Sequence, residues 1–517
     1  MTATKVLTRE ALEELGLGVE QIDTSGFTEI DEETAKELVG LRLKSGSVDY
    51  EGDLGPSRAH VPAVREASDY RRLLDLDGLE VLSDSAAEHL GKFDGAIFLN
   101  RLANLTDVAL GNLCQNASEL SLNGLTCLSE SAAVELQRFQ GFNLFLDGLT
   151  SLPRNVASTL FDLHTRGDSL ELSLNGLRNL DVESAFELRN FKGSSLSLDG
   201  LTDLSSVAAE SISQIAPTRG RLDISLNGLT SLTDEAADYL SKVNGDLSLN
   251  GLESLSYAVA ESMSNFQGLN LWLDGLRNLS PEAAASLSRI QGANLFGSRV
   301  FLGLFLNGLE RLSDEAAEKL SKIQGGLWLN GLCEISDSVA ESLSNTTEEL
   351  WLCGLKHISD AAARSLSKKP QELHLDGLAS LSTRAAEHLQ KFDGVLYLNG
   401  VSRISASALR AISNASADLA LDGLPSLSAE EAEILSQHRG NWLSLNGVTK
   451  LTAEAADHLS LHRGDILSLY GVNNISFMAA ATMLRYRGNV LVMNLDDVSE
   501  DAACILKKQL SILDLTN

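Results

Sequence analysis

Cysteine, aromatic side chains, basic charge and long apolar runs are all scarce in this chain, and each scarcity excludes something. Five cysteines (Cys114, Cys127, Cys333, Cys353 and Cys504) are an odd number with no CxxC or paired spacing, which offers neither a disulfide framework nor a zinc site. A reducing compartment is the simplest expectation. Aromatic residues make up 5% of the chain against 44% hydrophobic, so the apolar material is mostly Leu and Ala, suited to thin coils rather than large globular cores. No apolar run reaches 18 residues and the first residues hold no stretch of signal-peptide length, so a soluble, cytoplasmic protein is expected. The triplets at Asn104 and Asn278 then carry no meaning as glycosylation acceptors. Lys and Arg number 41 against 71 Asp and Glu, a net charge of −30, which repels nucleic acid and anionic membranes and favours a partner with basic groups.

Chemistry-bearing motifs are missing as well. None of the patterns GxxxxGK[ST], HExxH, GxSxG or GxGxxG occurs, and the nine His share no local motif with the cysteines. No catalytic residue, metal or cofactor is expected. Cys333 and Cys353 read as small residues substituting within a longer pattern, and the tripeptides at 166–168 and 463–465, which look like adhesion motifs, as a glycine at a helix exit.

What the chain has instead is repetition. The tetrad L-x-L-[ND] aligns eighteen times, ending at Asp77, Asn100, Asn123, Asp147, Asn175, Asp199, Asn227, Asn250, Asp274, Asn307, Asn330, Cys353, Asp376, Asn399, Asp422, Asn446, Tyr470 and Asp496. Thirteen of the seventeen intervals are 23 or 24 residues, a constancy that marks a stacked array. Alternation in L-x-L puts two leucines inward and one variable residue outward, as in a short strand with one buried face. An Asn-Gly or Asp-Gly pair follows in most copies, whose tolerance of positive φ suits a sharp turn. Then comes a Ser, Thr or Asp at a helix start, replaced only by Pro153, and acidic residues such as Asp314 and Glu315 in the first helical turn. The spacing predicts a helix over Asp314 to Ile323 with Ala317, Leu320 and Ile323 on one side, and a glycine such as Gly245, Gly325, Gly394 or Gly440 releasing the chain into the next strand.

One unit cannot bury its own leucines, so successive strands must stack into a parallel sheet backed by short helices. The segments L-x-L-N-G-L and x-x-L-S-D-E-A-A-E-x-L, as at Leu327 to Leu332 and Leu312 to Leu320, resemble the leucine-rich-repeat family, in particular bacterial variants whose helix begins T-D or S-D. The resemblance covers about residues 29–517 and implies an α/β solenoid of eighteen or nineteen repeats, with strands on the concave face and helices on the convex one. This chain departs from the commonest pattern: a Leu, as at Leu252, stands where a polar Asn or Cys is usual after the strand.

Before the array, residues 1–28 read as a helical cap and 44–70 as an irregular insert followed or accompanied by Arg65, Arg71 and Arg72. At the other end Leu513-Asp514-Leu515 reads as a last strand without a cap, an open edge that invites end-to-end pairing. Insertions at His164 to Ser169, Ala216 to Arg221 and Ala293 to Val300 fall between helix and strand, on one rim.

Two columns of the repeat are candidates for function. The outward residue of L-x-L becomes aromatic in one unbroken run, Trp272, Phe305, Trp328, Trp351, His374 and Tyr397, whereas Ser is its commonest occupant elsewhere. Six strands at about 4.8 Å place that row on a ridge roughly 24 Å long, and contiguous exposed apolar surface marks interaction sites. Alternatively the rings cover one another, or pack under the insertion after Gly292. The tetrad's fourth position, including Asn307, Asn330, Asp376 and Asn399, reads as a hydrogen-bonded structural ladder, with no two Asp in neighbouring copies, as stacked like charges require. Together the columns point to a non-catalytic scaffold for a protein or peptide. A carbohydrate-binding solenoid with Trp328, Trp351 and Tyr397 as platforms, or the adaptor subunit of an enzyme such as a ligase, are the alternatives.

Overall fold

In the computed structural model the described residues are 6–7, 27–40, 73–165, 169–216, 221–295, 298–299, 302–495, 498–507 and 512–513. The expected cap helix within 1–28, the insert at 44–70 with its arginines, Asp496, and the tripeptide at 166–168 lie outside them. Within 1–28, Val6–Leu7 forms a short strand paired in parallel with Glu29–Ile30, an element the composition did not suggest.

The chain forms two compact units, Met1–Leu252 with Asn265–Trp272, and Glu253–Ser264 with Leu273–Asn517. In the first, nine described strands from Leu73–Asp75 to Asn270–Trp272 pair in parallel and in chain order. In the second, ten do so, from Leu302–Phe305 to Ile512–Leu513. Register is fixed by the strand leucines. Leu327 pairs with Leu350, Leu350 with Leu373, and Leu373 with Leu396, all fully buried, so every other side chain along a strand is forced outward together.

Parallel strands need a crossover, and here a two-turn helix supplies it. Seven-residue helices are not stable alone and hold by capping and packing. In Asp314–Leu320 the Ser313 hydroxyl accepts from the Ala316 N–H at 3.1 Å while Ala316, Ala317 and Leu320 are buried. This helix stops three residues short of the expected Ile323, which is buried from the following turn instead. Caps also link coils: the Ser336 hydroxyl donates to the Asp314 carboxylate, one coil earlier, at 2.7 Å. No helix among the described residues is long and apolar enough to cross a membrane.

The glycines hold a correction. The Asn-Gly and Asp-Gly pairs were expected to supply positive φ, yet among the described residues only Gln371 (φ 66°) and Gly292 (φ 72°) have it. Close approach is the reason instead. A Cβ on Gly331 would lie 2.1 Å from the carbonyl oxygen of Asn307, and one on Gly400 1.9 Å from that of Asp376, so turn is stacked on turn with no room for a side chain. The glycines before the strands work differently again. The ring of Phe392 covers Gly394, that of His438 covers Gly440 and that of His462 covers Gly464, which also accounts for the glycine at 463–465.

The last tetrad was also misplaced. Leu467 pairs with Leu491 and Ser468 with Val492, which puts Asn494 rather than Asp496 at the ladder position. The interval from Tyr470 is thus 24 residues, in period with the rest.

Candidate functional site

The outward column of the second unit brings five of the six expected ridge residues side by side. Phe305 pairs with Trp328, Trp328 with Trp351, Trp351 with His374 and His374 with Tyr397. Their rings stack: centroids lie 4.2, 5.9, 3.4 and 4.0 Å apart in that order, with interplanar angles of 19°, 21°, 9° and 7°. The sixth, Trp272, lies in the last strand of the first unit beside Ser248 and is buried.

Stacking on a parallel sheet follows from strand spacing: rings rising from strands about 4.8 Å apart touch their neighbours face to face when their tilt is shared. The consequence is that much of the row is hidden. Phe305 and His374 are buried and Trp328, Trp351 and Tyr397 half-buried. Trp328 leans back over Gly326, where a Cβ would sit 2.6 Å from its ring. One aromatic was missed. Trp442 opens the strand Trp442–Ser444 and meets Tyr397 edge-on, with centroids 5.9 Å apart. The signal was there, because Trp442 stands two residues before the outward Ser444 and shares its face.

Carboxylates flank the row. The Trp351 indole N–H donates to Glu349 at 3.2 Å, and His374 lies between Glu372 (3.4 Å) and Asp376 (3.6 Å). Burial, with the charges of Glu372, Glu349, Asp376 and Asp418 behind it, pushes the Tyr397 phenol up to about 12. Burial would raise Asp376 too, but hydrogen bonds from His374, the Asn399 N–H and the Cys353 thiol outweigh it and hold that carboxyl below its usual range. The nearby ammonium of Lys369 is turned inward, donating to the carbonyls of Glu348 and Pro370, and burial lowers its pKa to about 8 against the pull of Glu348, Glu349 and Glu372.

The fourth-position residues form a continuous device on the same face. The side-chain oxygen of Asn307 accepts from the N–H of Asn330 at 3.0 Å, that of Asn330 from Cys353 at 2.9 Å, that of Asp376 from Asn399 at 2.9 Å and that of Asn399 from Asp422 at 3.1 Å. An amide and a carboxylate serve equally, since the bond asks only for an acceptor. Where the outward residue is Ser its hydroxyl joins in: Ser444 donates to Asp422 and Ser468 to Asn446, both at 2.7 Å. Aromatic coils lack that hydroxyl.

Among the described residues no group of three or more His, Cys, Asp or Glu is arranged to hold a metal ion. Cys353 faces Asp376 at 3.4 Å, and burial first and that carboxylate second push its thiol up to about 12, which leaves it protonated. The insertion after Gly292 includes a short antiparallel pair, Asn294–Leu295 with Ser298–Arg299.

No family model matches the sequence, and no curated protein does. Solved structures similar to it include a leucine-rich-repeat protein of Leptospira interrogans, at 22% identity over 74% of this chain and 90% of that one, with a TM-score of 0.39. The mouse RP105/MD-1 complex matches at 16% identity over 80% and 77%, with a TM-score of 0.45, and an internalin of Listeria monocytogenes at 15% over 74% and 88%, with 0.29. It is the chain's own coils, a strand of paired leucines, a close-stacked Asn-Gly turn and a capped helix repeated in register, that give it the fold of a leucine-rich-repeat solenoid.

Proposed function

We propose that this chain is a non-catalytic scaffold acting in the cytoplasm, which binds a protein or peptide on the strand face of its second unit. The row from Phe305 to Tyr397 meets apolar groups, and Glu349, Glu372 and Asp376 meet basic ones. The observation that carries this reading is the pairing of a stacked aromatic row with carboxylates within hydrogen-bond or ion-pair distance of it. A pre-stacked row also binds at low entropic cost, because its rotamers are already fixed. Mutual stacking leaves ring edges rather than faces open, which supports a peptide over a sugar laid on Trp328 or Trp351. All five cysteines are free, in keeping with a reducing compartment, and the net charge of −30 supports a basic partner.

The test is to probe a peptide array rich in basic and aromatic residues, and a glycan array, with the wild-type chain, Trp328→Ala and Trp351→Ala. Peptide binding that falls about tenfold or more in both variants, and weakens as salt rises, supports the reading. Binding to glycans alone, or peptide binding that neither substitution changes, ends it.

A further inference from the structure

The residue just after each helix in the second unit faces the interior, and near the end of the array its chemistry changes. The column runs Ile290, Ile323, Thr346, Lys369, Phe392, Ala415, His438, His462 and Tyr486, and every member is buried. Its last three described members are therefore a stack of two imidazoles and a phenol, with centroids 6.0 and 6.3 Å apart and planes within 17° and 2° of parallel. Each ring covers the glycine two residues on, Gly440, Gly464 and Gly488, so the rings are set by the packing of the coils themselves.

The polar atoms of this stack are unequally served. The Tyr486 hydroxyl donates to the carbonyl of Gly464 at 2.8 Å, and His438 Nδ1 lies 3.3 Å from that of Ser413. His438 Nε2 and both nitrogens of His462 are buried without a hydrogen-bond partner among the described residues. The groups around them offer little to a second proton. The Asp418 carboxylate and the backbone of Ser413, Ala417 and Trp442 face His438. His462 sees His438 and, without a well-formed bond, the carbonyl of Ser436, and Tyr486 sees Asp465. The adjoining Arg439, Arg463 and Arg487, and Glu430, Glu433, Glu454 and Asp457 on the flanking helices, are exposed, while His458 is half-exposed. An imidazolium at His462 would be a buried charge with no counter-ion.

We propose that the coils spanning 436–490 form an acid-sensitive latch, closed while His438 and His462 are neutral and opened by their protonation. Burial, with the charge of His438 behind it, lowers the His462 pKa to about 4, and burial lowers that of His438. In an opened coil both return toward about 6.5. A depressed folded pKa means the opened state binds the extra proton, so closure is fully favoured above pH ~6.5 and weakens as pH falls from there toward ~4. This device is independent of the binding role proposed above.

Amide hydrogen exchange on the full chain tests it, at about pH 7.5 and pH 5 after correction for intrinsic rates. The opening constant of peptides within 436–490 should rise on the order of tenfold relative to peptides within 302–400. In His462→Phe that difference should shrink, and in His438→Phe with His462→Phe it should vanish, since Phe392 shows that the column accepts phenylalanine. An unchanged wild-type ratio, or the same rise in a variant, overturns the proposal. If the double variant does not fold, the single variant and ring NMR of ¹³C-labelled histidine decide: a His462 resonance that titrates near pH 6.5 in the folded chain overturns the proposal, and one that stays neutral to pH 5 supports it.

Discussion

The backbone N–H of Asn399 donates to the side-chain oxygen of Asp376 across 2.9 Å, joining two coils 23 residues apart. The side chain of Asn399 then accepts from the N–H of Asp422 at 3.1 Å. An amide thus stands between two carboxylates in a column where either group satisfies the geometry.

Charge, not hydrogen bonding, should decide what substitutions this column tolerates. Asn399→Asp places three carboxylates in successive coils and should destabilise the second unit by about 1–2 kcal/mol at neutral pH. Asn330→Asp sits between Asn307 and Cys353 and should cost less than about 0.5 kcal/mol. Protonation removes the repulsion, so the deficit of Asn399→Asp should shrink as pH falls through the carboxylate range. Urea unfolding at two pH values reads this; equal costs for the two variants would show that the stacked charges do not feel each other.

Gly331 makes a separate point about the turns. Because its φ is not positive, alanine there is penalised by collision with the Asn307 carbonyl and not by backbone strain. Gly331→Ala should cost about 2–3 kcal/mol by forcing two coils apart. Its Tm should therefore drop clearly, and a change within error would mean that the turns have slack.

These two cases mark how far the sequence could be read. Period, strand leucines and caps act within one unit, so each copy states them again and the solenoid is legible from repetition alone. The role of Gly331 depends on what lies one coil away, which no single unit spells out, and the propensity of Asn-Gly for positive φ pointed to the wrong cause. Likewise Asp496 followed the nearest x-Leu-Asp of the tetrad, while the pairing of Leu467 with Leu491 selected Asn494. For the candidate site, the column of rings could be located from spacing. Its burial could not, because whether rings in a row stand apart or stack depends on a shared tilt that spacing does not encode.

In the first unit, Asp246 is buried beside Asp223, with Arg221 at 3.3 Å and Asn270 at 3.0 Å. Burial first, and Asp223 second, raise its pKa to about 6. A raised folded pKa means stability is fully present below the unfolded value of 3.8 and is lost as pH rises through about 6. Asp246→Asn keeps an oxygen for Asn270 while removing the charge, and should stabilise the unit by about 1–3 kcal/mol at neutral pH with little effect near pH 4. Thermal unfolding across that range reads it, and a destabilised variant at neutral pH would mean that the Arg221 pair outweighs burial.

Trp351 and His374, whose ring centroids are 3.4 Å apart, allow the stack to be weighed directly. Trp351→Ala alone should cost about 2–3 kcal/mol, less than a fully buried Trp because the side chain is half-buried. His374→Ala also removes the ring that lies between Glu372 and Asp376. If the rings hold one another, the double variant should be less destabilised than the sum by about 1 kcal/mol, the magnitude seen for aromatic pairs beyond their buried area. Strict additivity in that double-mutant cycle would mean that the sheet alone sets both rings, and that a partner arriving at this face meets side chains ordered by their own strands rather than by each other.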